Sequence, residues 1–443
     1  MKITKLLLLF LMISLISLTL ISCGGTEDDR DTEISDVKTL NVYNWGEYIS
    51  DGSFDSLDTN AAFEEYFNEH LAQKYGFKIE VLYSTYATNE DMYSKITSGA
   101  GTYDVIIPSD YMIEKLKNEG WLYDFDVTEL ENFKNIREEF TGLYYDEDNR
   151  YSVPYTYGMV GIIYNTEFVD EEDYAEQSWS LMWNEKYSGK ILQFNNQRDA
   201  FGSAMYYTGL DINSKDPDVW NQAFAKLKEQ KPLLQGYVND EIFNKMTTAS
   251  AAIAPYFAGD FLTMADQNED LDFYYPKEGT NYFVDAMCIP KNANLPEVAK
   301  EYINFMLTEE VAVANSVYIG YASPNKLVFD GESFHEGYAE EMGEYALEVL
   351  YDKSPTEVNE SYLEKYETAC YKSFDAETQA YVNSLWESLK TESSTEPWIH
   401  VCALVIVGSV VTLAIYTIYT RKKRSRDYRL RDKVAKMAKK SQQ

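Results

Sequence analysis

Residues 103–116, YDVIIPSDYMIEKL, contain the junction that decides the fold class. The apolar run at 105–107 is typical of a buried strand, and Pro108 and Ser109 separate it from a segment with helical periodicity. A strand that passes through a short turn into a helix is the building unit of α/β folds. We therefore expect an α/β architecture on both sides of this junction.

The segments before the junction continue the same alternation. Residues 61–75 repeat apolar residues at helical spacing up to Gly76, and residues 77–83, FKIEVLY, alternate as in a strand. Residues 88–96, TNEDMYSKI, predict a helix that Thr88 can cap. This order predicts a mainly parallel sheet with helices on both of its faces.

A second set of elements follows the junction. Strand-like runs occur at 152–165 (SVPYTYGMVGIIYN), 189–194 (GKILQF), 249–257 (ASAAIAPYF) and 281–290 (NYFVDAMCIP), and residues 296–307 predict a helix that begins at a proline. No repeat of solenoid length is visible. Two α/β lobes are the simplest interpretation.

The start of the chain has the features of an export signal. Residues 1–22 combine early lysines with an apolar run and end in LISC, which resembles the bacterial lipobox whose cysteine becomes the acylated mature N-terminus. We expect a lipoprotein signal peptide at 1–22, a lipid on Cys23 and a flexible tether at 23–37. The alternative is an uncleaved anchor followed by a chance cysteine.

The other end predicts a second membrane attachment. Residues 398–420 form a mostly apolar stretch whose length, at about 1.5 Å per residue, matches a hydrocarbon core of about 30 Å. The basic tail at 421–443 would then be cytoplasmic by the positive-inside rule, with residues 391–397 as a linker. We expect a cell-membrane protein whose ligand-binding part lies on the extracellular or periplasmic side.

Charge and motif content exclude several function classes. The chain of 443 residues carries a net charge of −34, which repels nucleic acid and attracts cations, although acidity can also serve solubility alone. The 3 histidines share no metal-ligand spacing, and no motif of a nucleotide-binding loop or hydrolytic enzyme occurs. We expect no catalytic residues, no metal and no cofactor.

Cys288 and Cys370 could form a disulfide or remain thiols.

Aromatic residues and isolated carboxylates follow several of the predicted strands. In open α/β sheets, ligands bind beyond the carboxyl ends of the strands. Carboxylates bind ammonium groups, and aromatic faces accept both methylene chains and cations. This mixture suits a polyamine. The residues are Trp45, Glu47 and Tyr48; Ser109 and Tyr111; Phe257 and Asp260; and Phe283 and Asp285.

The order of these motifs resembles the spermidine/putrescine-binding proteins of polyamine ABC importers. The resemblance runs from about residue 38 to 390 through VYNWGEYISDG, YSTYATNEDMYSKI, YDVIIPSDYMIEKLKNEG, YSVPYTYGMVGIIYN, VDAMCIP and IGYASPN. It implies a two-lobed periplasmic-binding-protein fold with a hinge, an interlobe ligand cleft and delivery of the polyamine to ABC permease subunits. The implied N-terminal lobe is 38–157 and 285–329, and the implied C-terminal lobe is 158–284 and 330–390.

The resemblance also implies the ligand-binding residues. They are Trp45, Glu47, Tyr48, Ser109, Tyr111, Asn196, Asp199, Phe257, Asp260, Phe283, Asp285 and Tyr321. Asn196 and Asp199 stand where spermidine-binding members have Asp and Glu, and two phenylalanines, Phe257 and Phe283, replace tryptophans. The remaining acids could serve two ammonium groups, which slightly favours putrescine over spermidine. The alternatives are a membrane-anchored sensor, a binding protein for another small solute and an extracellular enzyme.

Overall fold

The computed structural model describes residues 34–329, 345–352, 359, 364–365, 369–391, 405, 408–417 and 420–423. The chain divides into a smaller unit of residues 1–39 and 64–80 and a larger unit of residues 40–63 and 81–443. In the smaller unit, the Asn68 side chain accepts a hydrogen bond from the Ile79 backbone N at 2.8 Å and donates one to its carbonyl oxygen at 2.9 Å. The predicted signal peptide at 1–22 and Cys23 lie outside the described residues.

The strands form one sheet. They are β1 (Val37–Trp45), β2 (Lys78–Tyr86), β3 (Val105–Ile106), β4 (Ser152–Asn165), β5 (Ile191–Phe194), β6 (Leu234–Val238), β7 (Ile253–Phe257), β8 (Leu271–Tyr274) and β9 (Tyr282–Cys288). The strand order is β2-β1-β3-β9-β4-β7-β5-β6, and β8 also pairs with β4. Helices alternate with the strands along much of the chain, so the α/β prediction is confirmed.

The α-helices are α1 (Thr59–Tyr66), α2 (Ala72–Tyr75), α3 (Asn89–Ser98), α4 (Asp110–Asn118), α5 (Glu171–Tyr174), α6 (Gln197–Thr208), α7 (Pro217–Gln230), α8 (Glu241–Thr247), α9 (Ala258–Gln267), α10 (Pro296–Met306), α11 (Glu309–Ile319), α12 (Lys326–Phe329) and α13 (Ala376–Thr391). The Thr88 hydroxyl caps α3 by accepting a hydrogen bond from the Asp91 backbone N at 3.1 Å, as predicted. The helix predicted over 61–75 is instead α1, a π-helical turn at Phe67–Leu71 and α2.

The expectation of a mainly parallel sheet is wrong. β1 pairs with β3, and β5 with β6 and β7, in parallel orientation. However, β4 is antiparallel to β7, β8 and β9, and β3 is antiparallel to β9. The apolar pattern predicts which segments form strands, but it does not encode strand direction, because side chains alternate equally in both orientations.

Strand β4 connects the two halves of the sheet. Its first half, from Ser152 to Met159, pairs with β9. Its second half, from Val160 to Asn165, pairs with β7 and β8. Because one long strand serves both groups of strands, it holds the ends of β7 and β9, which carry predicted ligand-binding residues, in a fixed register.

The predicted transmembrane helix at 398–420 is wrong. Within the part of the chain that the structure describes, no helix is long and apolar enough to cross a membrane. The positive-inside argument for a cytoplasmic tail at 421–443 depended on that helix and loses its basis.

Cys288 and Cys370 do not share a disulfide in the described structure. Cys288 lies at the end of β9 and is completely buried. Burial raises the pKa of its thiol well above the usual value, which disfavours the reactive thiolate. Of the two possibilities that the sequence leaves open, the structure shows thiols.

Candidate functional site

One cavity brings together most of the predicted ligand-binding residues. It has a volume of about 910 Å³, including the space at its open mouth. Eleven of the twelve predicted residues line it: Trp45, Tyr48, Ser109, Tyr111, Asn196, Asp199, Phe257, Asp260, Phe283, Asp285 and Tyr321. The twelfth, Glu47, follows β1 with a φ of 50° and has an exposed side chain. Contact of these residues with a ligand stays a prediction.

Asp285 lies in β9 and is 4% exposed. Its Oδ2 accepts a hydrogen bond from the Tyr48 hydroxyl at 2.7 Å, and the Thr156 hydroxyl lies within hydrogen-bond distance of the same tyrosine oxygen. Its Oδ1 is buried and has no hydrogen-bond partner among the described residues. Burial raises the pKa of Asp285 to about 6, against the lowering effect of the Ser109 and Tyr48 hydroxyls. This carboxylate is therefore positioned by one oxygen and able to bind a cation with the other.

Asp260 lies in the first turn of α9, directly after β7. Its Oδ2 accepts a hydrogen bond from the Tyr321 hydroxyl at 2.8 Å. Burial, together with the negative charges of Asp240 and Glu47, raises the pKa of Asp260 to about 8, against the lowering effect of the Tyr321 hydroxyl. The Tyr321 ring packs edge-on against Tyr48, with centroids 5.0 Å apart, so the tyrosines that bond to the two aspartates are in contact.

Asp199 lies in the first turn of α6, after β5. The N-cap residue Asn196 accepts a hydrogen bond from the Asp199 backbone N at 2.8 Å and donates one from its Nδ2 to Asp199 Oδ2 at 2.7 Å. The other oxygen, Oδ1, is buried without a partner among the described residues. Burial raises the pKa of Asp199 to about 6, against the lowering effect of the Asn196 amide and the nearby Tyr371 hydroxyl. Asn196 is thus a helix cap that also orients the neighbouring carboxylate.

Ser109 occupies the N-cap position of α4, but its side chain does not cap that helix. Its hydroxyl instead accepts a hydrogen bond from Asn89 Nδ2 at 3.1 Å. The same Asn89 nitrogen lies 3.1 Å from the Tyr111 hydroxyl. The hydroxyl of Ser109 is therefore held by a side chain from α3 rather than by the helix that it precedes.

Aromatic rings form much of the cavity wall. The Trp45 indole N donates to the Ile107 carbonyl oxygen at 2.9 Å, and the indole contacts Tyr86 with centroids 4.7 Å apart. Phe257 and Phe283 meet edge to face at 5.3 Å. The faces of these rings suit methylene groups and also attract cations. At the two phenylalanine positions, the attraction for a cation is weaker than a tryptophan would provide.

The lining of the cavity is rich in acidic residues. Six carboxylates line it: Glu90, Asp110, Asp199, Asp240, Asp260 and Asp285. None of the described lining residues is Lys, Arg or His. Burial and mutual repulsion raise the pKa values of the carboxyl groups, so a cationic ligand would stabilise their ionised forms.

The sequence from 61 to 340 matches the family model of the bacterial extracellular solute-binding proteins. This chain belongs to that family. Members of this family bind solutes for transport, so the expectation that the protein is not an enzyme is confirmed.

Several individual proteins of known name are similar to this chain in sequence or structure. The spermidine/putrescine-binding periplasmic protein of Salmonella typhimurium is 32% identical over 292 residues, which are 66% of this chain and 79% of the relative. The putrescine/cadaverine-binding protein of Pseudomonas aeruginosa is 28% identical over 296 residues, 65% of this chain and 79% of the relative. The solved structure of the spermidine/putrescine ABC transporter substrate-binding protein PotD from Streptococcus pneumoniae has a TM-score of 0.60 at 31% identity, covering 80% of this chain and 98% of that chain.

These similarities confirm the two-lobed periplasmic-binding-protein fold that the motifs implied, apart from the transmembrane helix. They also confirm an extracellular solute-binding protein as the general class.

Three lining carboxylates of this solute-binding protein were not predicted from the sequence: Glu90, Asp110 and Asp240. Glu90 and Asp110 lie inside quoted motifs, but at helix starts, where an acidic residue is also expected for helix stability. Asp240 lies in a turn without any motif. A Cβ atom on Gly46 would lie 2.6 Å from Asp240 Oδ2, so the glycine in NWGEY is the signal that points to this close approach.

Proposed function

We propose that this protein is the substrate-binding component of an ABC importer and that it captures a polyamine for delivery to the permease subunits. The observation that carries this proposal is the combination of six lining carboxylates, aromatic walls and no described basic lining residue. A hydrogen bond between ammonium and carboxylate contributes about 1.5–3 kcal/mol, and a cation over an aromatic face about 0.5–2 kcal/mol. The names of the relatives agree with this chemistry.

The electrostatics of the cavity favour two ammonium positions. The charge of Asp240 raises the pKa of Asp260, whereas the charge of Glu90 raises the pKa of Asp199 and the charge of Asp199 raises that of Asp285. These influences divide the carboxylates into two neighbourhoods. A diamine provides one cation for each neighbourhood, so we expect putrescine to bind at least as tightly as spermidine.

We propose that ligand binding closes two lobes, residues 38–157 with 285–329 and residues 158–284 with 330–390. Tyr48 and Asp285 would belong to the first lobe and Phe257 and Asp260 to the second. A ligand that contacts both lobes stabilises the closed arrangement over the open one by its differential affinity.

We further propose that the protein is held at the membrane by a lipid on Cys23. The support is the LISC sequence that ends the apolar run. Metabolic labelling with a radioactive fatty acid tests this, with a Cys23→Ser variant as the control. Equal labelling of both proteins would contradict lipidation at this residue.

A ligand panel tests the polyamine proposal. Purified protein is heated with putrescine, spermidine, a sugar, an amino acid or thiamine, and the unfolding midpoint is recorded. A selective rise with the polyamines, followed by a saturable calorimetric titration, supports the proposal, because only a bound ligand stabilises the folded state by mass action. Stabilisation only by the sugar, the amino acid or thiamine would overturn it.

A further inference from the structure

Glu90 is the second residue of α3 and lines the cavity together with Tyr111 and Asp199. The sequence motifs predicted Glu47, beside Trp45 and Tyr48, as a ligand-binding residue and did not predict Glu90. The structure places the Glu47 side chain in solvent and the Glu90 side chain at the cavity. Glu90 therefore requires a role that helix stabilisation alone does not explain.

A chain of hydrogen bonds orients the Glu90 carboxylate. The Tyr111 hydroxyl donates to Glu90 Oε1 at 3.2 Å. The same hydroxyl accepts a hydrogen bond from Asn89 Nδ2 at 3.1 Å, and Asn89 is 4% exposed. Because the tyrosine both accepts and donates, its proton is directed at Glu90 and the carboxylate is held in one orientation.

Glu90 and Asp199 form a negative pair at the cavity. Burial raises the pKa of Glu90, and the charge of Glu90 contributes to the raised pKa of Asp199. Asp199 Oδ1 is buried without a hydrogen-bond partner among the described residues. Glu90 and Asp199 are both half-buried, and an acidic pair of this kind, with one buried oxygen that has no described partner, favours a cation between the two groups.

Arg198, whose charge acts on both Glu90 and Asp199, does not fill that position. The Arg198 guanidinium lies 3.9 Å from the ring centroid of Phe374 and 4.5 Å from that of Tyr371. It lowers the pKa values of Glu90 and Asp199 through its charge, but it does not line the cavity. Arg198 therefore moderates the repulsion between the two carboxylates and leaves the position in front of them for a ligand.

We infer that Glu90 is a ligand-binding residue and that Glu90 and Asp199 together bind one ammonium group of the polyamine. This inference rests on the proposed function. Asn196 stands where the spermidine-binding relatives implied an acidic residue, and Glu90 supplies the second negative charge beside Asp199 instead. Glu90 thus determines how strongly one ammonium group of the ligand is bound.

The test compares Glu90→Gln with Asp91→Asn in calorimetric titrations with putrescine. The amide introduced by Glu90→Gln keeps an oxygen that can accept from Tyr111, whereas Asp91 lies in the same helical turn with an exposed side chain. We expect the first variant to lose at least about tenfold in affinity and the second less than about twofold, since only Glu90 would contact the ammonium group. The unfolding midpoint of the ligand-free Glu90→Gln protein should not fall, because the repulsion between the charges of Glu90 and Asp199 is removed.

A charge-relocation variant completes the design. Adding Asn196→Asp to Glu90→Gln returns a second carboxylate to the side of Asp199, and we expect it to recover part of the affinity. Unchanged affinity in Glu90→Gln, an equal loss in Asp91→Asn, or a further loss in the double variant would overturn the inference. Absence of putrescine and spermidine binding to the wild type would instead overturn the proposed function itself.

Discussion

Asp285 combines deep burial with an incompletely satisfied carboxylate. Its Oδ2 accepts a hydrogen bond from Tyr48, while Oδ1 is buried without a partner in the described part of the chain. A buried charge of this kind costs free energy unless a cation compensates it. The ligand is the natural source of that cation, so Asp285 should contribute strongly to affinity.

We predict that Asp285→Asn weakens putrescine binding at least tenfold, or about 1.4 kcal/mol. The amide keeps an acceptor for the Tyr48 hydroxyl but removes the charge that faces the ammonium group. Isothermal titration calorimetry measures the change, and Asp218→Asn, on the exposed first turn of α7, is the control for a lost negative charge. An unchanged titration curve would remove Asp285 from the site.

The raised pKa of Asp260 predicts the pH dependence of stability in the ligand-free protein. Its pKa of about 8 exceeds the ordinary value of 3.8, so the folded state holds this proton over a range in which the unfolded state has released it. The free energy of unfolding therefore falls as pH rises through that range, and this loss ends above about pH 8.

We predict that Asp260→Asn removes this loss between about pH 7 and pH 8.5, where Asp199 and Asp285, with pKa values of about 6, are already ionised. Urea unfolding of the wild type and the variant at both pH values measures it. Parallel pH profiles for the two proteins would show that Asp260 does not hold its proton in the folded state.

At the scale of elements, the start of α9 fits closely against the loop that carries Tyr321. A Cβ atom on Gly259 would lie 2.3 Å from Tyr321 Cδ2 and 2.8 Å from the Gly320 carbonyl oxygen. The backbone of α9 thus approaches the loop because residue 259 has no side chain. This contact sets the hydrogen bond between Tyr321 and Asp260.

We predict that Gly259→Ala destabilises the protein by about 1–3 kcal/mol, as overpacking does, and also weakens polyamine binding by displacing Tyr321. Chemical denaturation and calorimetry give the two values. Gly236→Ala in β6 is the matched control, since its added methyl group would meet no atom within 4 Å. Wild-type stability in Gly259→Ala would refute the close fit.

Helices and strands near the site were predictable from the sequence where a single local feature, such as an apolar run or a capping residue, determines the element. The apolar run at 152–165 matches β4 residue for residue, and Thr88 caps α3 as its hydroxyl and position predict. The π-helical turn at Phe67–Leu71 keeps nearly helical spacing, so its apolar pattern does not distinguish it from an α-helix. The antiparallel direction of β4 and β9 depends on tertiary pairing, which no local signal contains.

At the scale of the whole molecule, the sequence predicted which strands supply site residues. It did not predict all of the acidic residues that line the cavity. Residues such as Asp260 and Asp285 follow or lie in strands that converge, so the motif order was sufficient to find them. The exposure of Glu47 and the position of Glu90 at the cavity depend on side-chain directions after a tight turn and at a helix start, which the sequence pattern does not contain. The apolar composition of 398–420 predicted a transmembrane helix, but no helix in the described part of the chain is long and apolar enough to cross a membrane.

The buried carboxyl groups of the cavity make ligand capture an exchange of protons. Asp260 holds a proton near neutral pH in the ligand-free protein, and a bound dication favours its ionised form. Binding at pH 7 should therefore release protons to the solution, and the observed heat should vary linearly with the ionisation enthalpy of the buffer. A transporter fed by this protein would receive its substrate more readily in alkaline surroundings and less readily in acidic ones.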